Sequence, residues 1–205
     1  MSEAGVITLM PAADRKVLRS KAGSCGKALA ATKLRIADAD GVALPPGTPG
    51  ELWVRGANIA AGYWRRPDDT AAAFSDGWMR TGDIAMVDDE GFYTLLDRKK
   101  DMFISGGENV YPAEVEAAIS GLTGIRDVAV IGVEDERWGE VGCAFVVGDA
   151  DQETVLSHCR AMLAKYKVPR HVISVDQIPR NASGKALKNI LREWAAEGAI
   201  AATSQ

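Results

Sequence analysis

The charged run DRKKD, residues 97–101, separates two parts of the chain that have different sequence patterns. Before it, residues 32–96 read as short strands between turn signals such as Asp40-Gly41 and PPGTPG. After it, helix-like segments alternate with β-branched runs. We therefore predict an α+β chain, with a β-rich domain over residues 1–99 and a small α/β domain over residues 100–205. The boundary is expected at residues 98–101.

The second part of the chain carries three helix signals. Pro112 opens one predicted helix and Gly121 follows its end. Apolar residues recur at helical spacing between residues 151 and 165, and again on one face of the last helix. For that last helix we predict Ser183 as the N-cap and Gly198 as the stop. The runs DVAVIGV, CAFVV and HVISV predict the strands of a short sheet flanked by these helices.

Charge is unevenly distributed along a chain whose formal net charge is -4. Residues 134–153 contain seven carboxylates against one arginine, whereas residues 160–192 contain eight Lys or Arg against one aspartate. The overall balance gives no signal for nucleic-acid binding. The basic segment suits an anionic ligand, and a plain solvated face explains it equally well.

The three cysteines are odd in number and show no CxxC spacing, which argues against a disulfide framework or a zinc site. The first ten residues carry no basic n-region, and nowhere do eighteen apolar residues follow one another. We expect a cytoplasmic protein without a membrane span. A peripheral membrane contact stays open.

The segment RNASGKALK is the first candidate for chemistry. Lys185 falls in the first turn of the predicted last helix, where the helix dipole disfavours a cation. Free backbone N–H groups, a flexible Gly184 and an ammonium group would together form a receptor for a phosphate or a carboxylate. The plain alternative is a solvated lysine near a helix cap.

Two further segments combine glycine with polar groups. In WMRTGD, Gly82 allows a close backbone approach, and the Asp83 carboxylate can accept hydrogen bonds from a vicinal diol. An Asx turn that opens a strand is the structural alternative. In DRKKDMFISGGENVYP, the pair Gly106-Gly107 permits a slender ligand or another backbone to pass closely.

These segments occur in a characteristic order: MSEAG, WMRTGD, DRKKDMFISGGENVYPAEVE and PRNASGKALK. In that order they resemble the later motifs of the adenylate-forming superfamily, which comprises acyl-CoA synthetases, adenylation domains and luciferases. GELWVRG, GYWRRPDDT and DERWGE extend the similarity over essentially the whole chain. The likeness is greatest to AMP-forming fatty-acyl-CoA synthetases. It implies that the β-rich part is a distorted, barrel-like subdomain and that the α/β part is a mobile C-terminal domain.

The resemblance also implies a role for single residues. Ser2 would contact the AMP phosphate and Glu3 would bind Mg²⁺, so MSEAG would belong to the nucleotide site. Asp83 would hold the ribose hydroxyls, and Arg98 would contact the same ribose from the other side of the domain boundary.

The remaining implied roles belong to the mobile domain. Lys100 would be the hinge about which this domain rotates. Gly106 and Gly107 would line the passage for the pantetheine of CoA. Lys185 would be the catalytic residue, meeting the carboxylate substrate and the α-phosphate.

The implied reaction activates a carboxylic acid, expected to be a fatty acid, with ATP and Mg²⁺ to acyl-AMP and transfers the acyl group to CoA. Full members of the superfamily carry a Ser/Thr/Gly-rich phosphate loop and an acyl pocket upstream, and neither is found in this sequence. We therefore expect a C-terminal fragment that is inactive by itself, in which Met1 opens an interior active-site loop.

Three alternatives to this reading remain. An aryl acid is an alternative substrate, since the acyl pocket lies largely outside the chain. An adenylating enzyme can also pass its acyl group to a carrier protein, or oxidise it, in place of CoA transfer, although SGGENVYP resembles CoA ligases more closely. Finally, the chain can be a short, non-catalytic protein that binds a nucleotide or CoA.

Overall fold

The computed structural model describes residues 2–11 and 15–199. The chain divides into two compact units, residues 1–100 and residues 101–205. Both units combine sheets with few helices, so the predicted α+β class is confirmed. Among the described residues, no helix has the length and apolar character needed to cross a membrane.

The first unit is dominated by strands. In chain order its described elements are β1 (Thr8–Leu9), α1 (Arg15–Ser20), β2 (Lys27–Ala28), β3 (Thr32–Ala37), β4 (Gly50–Gly56), α2 (Pro67–Ala73), β5 (Phe74–Ser75), β6 (Trp78–Val87) and β7 (Tyr93–Arg98). β1 and β2 form a small antiparallel ribbon. The other strands form one antiparallel sheet in the order β3-β4-β6, with β5 and β7 both on the far edge of β6.

Side chains along β4 alternate between the two faces of this sheet, and residues 51–54 are buried on both faces. On β4, Leu52 and Val54 point into the core and are 2% and 0% exposed. Ile36 of β3 and Ala85 of β6 pack in the same cluster as Leu52. All members of this cluster belong to the first unit.

The second unit alternates strands and helices. In chain order its elements are β8 (Phe103–Ser105), β9 (Glu108–Val110), α3 (Pro112–Ser120), β10 (Ile125–Asp135), β11 (Gly139–Gly148), α4 (Gln152–Met162), a 3-10 turn (Lys165–Lys167), β12 (His171–Ser174), α5 (Lys188–Trp194) and a π-helical segment (Ala195–Ala199). The sheet order is β10-β11-β8-β9, and β12 runs parallel to β11.

The sheet of the second unit separates two apolar cores. Ala144 and Val146 of β11 face the cluster that contains residues of α3 and α4. Phe145, the residue between them, faces the other cluster together with Leu191 of α5. A central strand buried on both faces explains why CAFVV is a continuous apolar run.

Two predicted details of the second unit are wrong. The last helix begins at Lys188 and not after Ser183, because residues 181–185 form a tight turn. Gly198 does not stop this helix, since it lies inside the π-helical segment. The sequence pattern also missed the β8–β9 hairpin, whose strands have only three residues each.

Candidate functional site

A bulge in β6 carries the TGD segment. Glu51 of β4 pairs with Ile84 of β6, and Trp53 pairs with Arg80. One residue separates the two pairs on β4 but three separate them on β6, so residues 81–83 are a bulge. Bulges often lie beside active sites, where they redirect a side chain. Gly82 occupies the position that requires a positive φ, at 69°.

Side chains satisfy the backbone groups that the bulge leaves out of the ladder. The buried hydroxyl of Thr81 donates to the Leu52 carbonyl at 2.8 Å. The same oxygen accepts from the backbone N–H of Asp83 at 3.0 Å. These two bonds fix the backbone on both sides of Gly82, so the direction of the Asp83 side chain is set by the bulge.

The Asp83 carboxylate faces an arginine on the next strand. Asp83 and Arg98 are direct partners in the β6–β7 register, and Oδ1 lies 3.0 Å from Nε. Their side chains are 22% and 46% exposed, so the pair remains open to solvent. Arg98 is the last residue of β7 and belongs to the same sheet as Asp83. The expectation that it lies across the domain boundary is wrong, because the hairpin register places it opposite Asp83.

Glu3 lies in a turn near the start of the described chain, while Met1 lies outside the described residues. The backbone carbonyl of Glu3 accepts from the N–H of Ala60 at 2.8 Å. Its Oε1 accepts from the hydroxyl of Tyr63 at 3.0 Å. The pKa of the Glu3 carboxyl is lowered, first by a backbone hydrogen bond within the residue and then by the Tyr63 hydroxyl. Ser2, beside it, is exposed.

Glu3 suits a magnesium ion that arrives with a nucleotide. No group of three or more His, Cys, Asp or Glu among the described residues can hold a metal ion alone. Mg²⁺ is usually bound through one or two carboxylates together with phosphates and waters. An ionised, partly exposed carboxylate held by a phenol fits that mode of binding.

Lys100 follows β7 in an exposed turn. It is the last residue of the first unit, and Asp101 is the first residue of the second. Lys100 therefore lies where a hinge would act, and its role as a hinge stays a prediction.

Gly106 and Gly107 form the two-residue turn of the β8–β9 hairpin. Their φ angles are 61° and 87°, as in hairpin turns that need a positive φ at both central positions. A Cβ on Gly106 would lie 2.6 Å from the Trp138 ring, whereas a Cβ on Gly107 would meet nothing within 4 Å. The hairpin turn by itself thus explains why both residues are glycine. Their predicted role as a passage for pantetheine stays a prediction.

Lys185 lies in a tight loop that one asparagine holds together. Asn181 Oδ1 accepts from the backbone N–H groups of Ser183 at 3.0 Å and Lys185 at 2.9 Å. The carbonyl of Asn181 accepts from Gly184, whose φ is 79°. The backbone donors that the sequence predicted to be free for an anion are thus already used. The helix-dipole argument also fails, because α5 begins at Lys188.

The side chain of Lys185, in contrast, is available. It is exposed, and no ion pair joins it to an acidic group among the described residues. The loop that carries it is anchored by Arg180, which donates to the Gly184 carbonyl at 2.7 Å and pairs with Asp127 at 2.6 Å. Within the described part of the chain, the Lys185 ammonium group thus has no acidic partner, and hydrogen bonds hold the backbone that carries it.

Sequence reasoning missed Asn181 and Arg180 as the residues that hold this loop. An asparagine that begins a short run of small turn residues, as in Asn181-Ala-Ser-Gly, is a signal for an Asx turn, and it could have identified Asn181. No local signal pointed to Arg180, because its partner Asp127 is distant in sequence.

Two family models match the chain. The model described as AMP-binding enzyme matches residues 1–64, and the model described as AMP-binding enzyme C-terminal domain matches residues 114–185. The chain is 48% identical to the long-chain-fatty-acid–CoA ligase FadD13 of Mycobacterium tuberculosis over 176 residues, which are 84% of the chain and 35% of the relative. It is 46% identical to a feruloyl-CoA synthase of Amycolatopsis sp. over 198 residues, which are 94% of the chain and 40% of the relative.

A solved structure shows the same fold. The o-succinylbenzoate CoA synthetase MenE of Bacillus subtilis, in complex with its acyl-adenylate intermediate, superposes with a TM-score of 0.87 at 37% identity. The match covers 94% of this chain and 40% of the MenE chain. The chain thus spans between a third and a half of the length of the proteins that it resembles.

Proposed function

The chain belongs to the adenylate-forming superfamily of AMP-binding enzymes, and we propose that it carries the C-terminal portion of an AMP-forming acid–CoA ligase. The observation that carries this proposal is the 46% identity to a CoA-thioester synthase over 94% of the chain. In the first step, a carboxylate oxygen of the acid attacks the α-phosphate of ATP and pyrophosphate leaves. In the second, the CoA thiol attacks the acyl carbonyl, the thioester forms and AMP leaves.

In the first unit, Asp83 and Arg98 bind the nucleotide. The Asp83 carboxylate accepts hydrogen bonds from the two ribose hydroxyls, and Arg98 holds that carboxylate in place and contacts the same ribose. Ser2 binds the AMP phosphate, and Glu3 binds the Mg²⁺ that accompanies ATP. When bound, Mg²⁺ neutralises charge on the phosphates.

In the second unit, Lys185 supplies the positive charge for the first step. Its ammonium group meets the substrate carboxylate and the α-phosphate, where negative charge develops in the transition state. Its exposed position without an acidic partner among the described residues supports this role. For the second step, rotation about Lys100 presents Gly106 and Gly107 to the pantetheine of CoA.

We propose a fatty acid as the substrate, supported by the 48% identity to a long-chain-fatty-acid–CoA ligase. An aryl acid is the second candidate, supported by the 46% identity to a feruloyl-CoA synthase. Because the chain spans 35–40% of these relatives, we further propose that it does not turn over alone. A cytoplasmic location stays a prediction.

The test uses a hybrid ligase, in which the N-terminal portion of the Mycobacterium tuberculosis ligase is followed by this chain. The hybrid ligase should exchange pyrophosphate into ATP in the presence of a fatty acid and form the CoA thioester. The 205-residue chain alone should do neither with a panel of fatty and aryl acids. A folded hybrid ligase that binds ATP but exchanges no pyrophosphate with any acid would contradict the proposed function. Turnover by the 205-residue chain alone would contradict the proposal that the chain is inactive without an N-terminal portion.

A further inference from the structure

Glu51 is a buried carboxylate in the first unit that none of the roles above uses. It lies on β4 and is 7% exposed. Carboxylates are rarely buried unless they are paired. Both oxygens of Glu51 are paired: Oε1 accepts from the backbone N–H of Gly82 at 3.2 Å, and Oε2 lies 2.9 Å from Nζ of Lys99.

The two partners of Glu51 are sequence neighbours of the proposed ribose-binding residues. Gly82 directly precedes Asp83 in the bulge, and Lys99 directly follows Arg98 at the end of β7. A third bond closes the set, since the backbone N–H of Lys99 donates to the Gly82 carbonyl at 2.8 Å. We call Glu51, Gly82 and Lys99 the bulge clamp.

We propose that Glu51 is a positioning residue: through the bulge clamp it holds Asp83 and Arg98 at the separation and orientation that bind the ribose of ATP. This inference rests on the proposed function of the chain. The N–H of Gly82 lies in the bulge, outside the β4–β6 ladder, so it depends on a side-chain acceptor. The buried Glu51 carboxylate is that acceptor, and its negative charge strengthens the bond.

Lys99 pairs with Glu51 and loses little of its own hydration. Its side chain is 51% exposed, so the ammonium group keeps water while it neutralises the buried carboxylate. Removing Lys99 leaves the buried charge of Glu51 without its cation, which is unfavourable in a poorly solvated place. The clamp also fixes the backbone of Lys99. Rotation at Lys100, the proposed hinge, therefore starts directly after a residue that the sheet holds in place.

The first experiment measures backbone amide exchange by NMR in the 205-residue chain, and does not depend on enzyme activity. Glu51→Leu removes both acceptors, Glu51→Gln keeps one without charge, and Lys99→Met removes the ammonium group. We expect the exchange of the Gly82 and Lys99 amides to accelerate about tenfold or more in Glu51→Leu and less in the other two variants.

The amide of Arg35 on β3, which lies opposite Trp53 of β4, reports on the sheet as a whole, and Lys33→Met, which changes an exposed lysine of the same strand, is the matched control. Exchange of the Arg35 amide should change by no more than about twofold in the Glu51 and Lys99 variants. Lys33→Met should change the exchange of the Gly82 and Lys99 amides by no more than about twofold. Unchanged exchange at Gly82 and Lys99, or equal acceleration over the whole sheet, would overturn the clamp.

The second experiment separates positioning from a merely structural role. In the hybrid ligase, Glu51→Gln should raise the KM for ATP about tenfold and leave kcat within about threefold, because the ribose pair is displaced while the reacting groups are intact. Loss of folded enzyme would lower kcat at unchanged KM, and that result would overturn the proposal. Failure of the proposed function would instead appear as no exchange in the unchanged hybrid ligase, with the NMR result intact.

Discussion

The carboxylate of Asp83 and the guanidinium of Arg98 are paired across β6 and β7, with Oδ1 and Nε 3.0 Å apart. Because a carboxylate accepts from a vicinal diol more strongly than an amide does, Asp83→Asn in the hybrid ligase should raise the KM for ATP by about tenfold or more. Arg98→Met should raise it less. Steady-state kinetics with varied ATP measure both, and Asp40→Asn, in an exposed turn, is the control. An unchanged KM in Asp83→Asn would contradict the ribose assignment.

Lys185→Ala should separate the two steps of the reaction. Removing a charge that stabilises the transition state should lower acyl-adenylate formation by about 10²–10³-fold, because the nearby cations Arg180 and Lys188 are already paired with carboxylates. Thiolysis of added acyl-adenylate should remain within about threefold. ATP–pyrophosphate exchange and single-turnover thiolysis report the two steps. Equal losses in both would refute the role of Lys185.

Asn181→Ala should act through the loop that presents Lys185. The change removes the acceptor for the N–H groups of Ser183 and Lys185, so the ammonium group loses its defined position. We expect adenylation to fall about tenfold, while stability falls by only about 1 kcal/mol because the loop is exposed. Asn181→Asp keeps the acceptor and should restore most of the activity. Exchange assays and urea unfolding measure the two effects, and a full rate in Asn181→Ala would contradict this reading.

Lys100→Pro tests the hinge. Proline fixes φ near −65°, so one orientation of the second unit should be favoured over the other. In the hybrid ligase, adenylation should remain within about tenfold while thioester formation falls by at least about 10²-fold. Lys100→Ala, which leaves the backbone free, should retain both steps. Normal overall turnover in Lys100→Pro would exclude a hinge at this residue.

Gly106→Ala should destabilise the second unit more than Gly107→Ala. Both glycines have a positive φ, so each substitution introduces backbone strain. Only the Cβ on Gly106 would approach the Trp138 ring, at 2.6 Å. We expect Gly106→Ala to lower the free energy of unfolding by about 1–2 kcal/mol more than Gly107→Ala, measured by urea titration of the 205-residue chain. Equal losses would show that the ring moves aside freely.

Elements with a strong local signal were predictable from the sequence. α3 begins at Pro112 and ends one residue before Gly121, as the two residues indicate. The strands of CAFVV and DVAVIGV follow from their β-branched runs, although the structure extends both. Periodicity and turn residues act over a few positions, and these elements depend on little else.

Features that depend on distant partners could not be predicted. Leu191 and Trp194 of α5 pack in a core cluster, as their helical spacing predicts, yet the helix starts later than Ser183 indicates, because the hydrogen bonds of Asn181 keep the preceding residues in a turn. The bulge at Gly82 requires the register of β4 against β6, which no local pattern contains. Likewise, Arg98 was assigned to the far side of the boundary, since only the β6–β7 register reveals its partner.

The separate apolar cores of the two units bear on how such genes can evolve. Among the residues that the structure describes, each buried cluster draws its members from one unit: two clusters belong to the second unit and two to the first. A single recombination event near codon 100 would therefore leave each core with all of its residues from one parent. Likewise, a neutral substitution in one core does not require a compensating substitution in the other. The two halves of the gene are thus free to carry different ancestries, which separate phylogenetic trees of the halves would reveal.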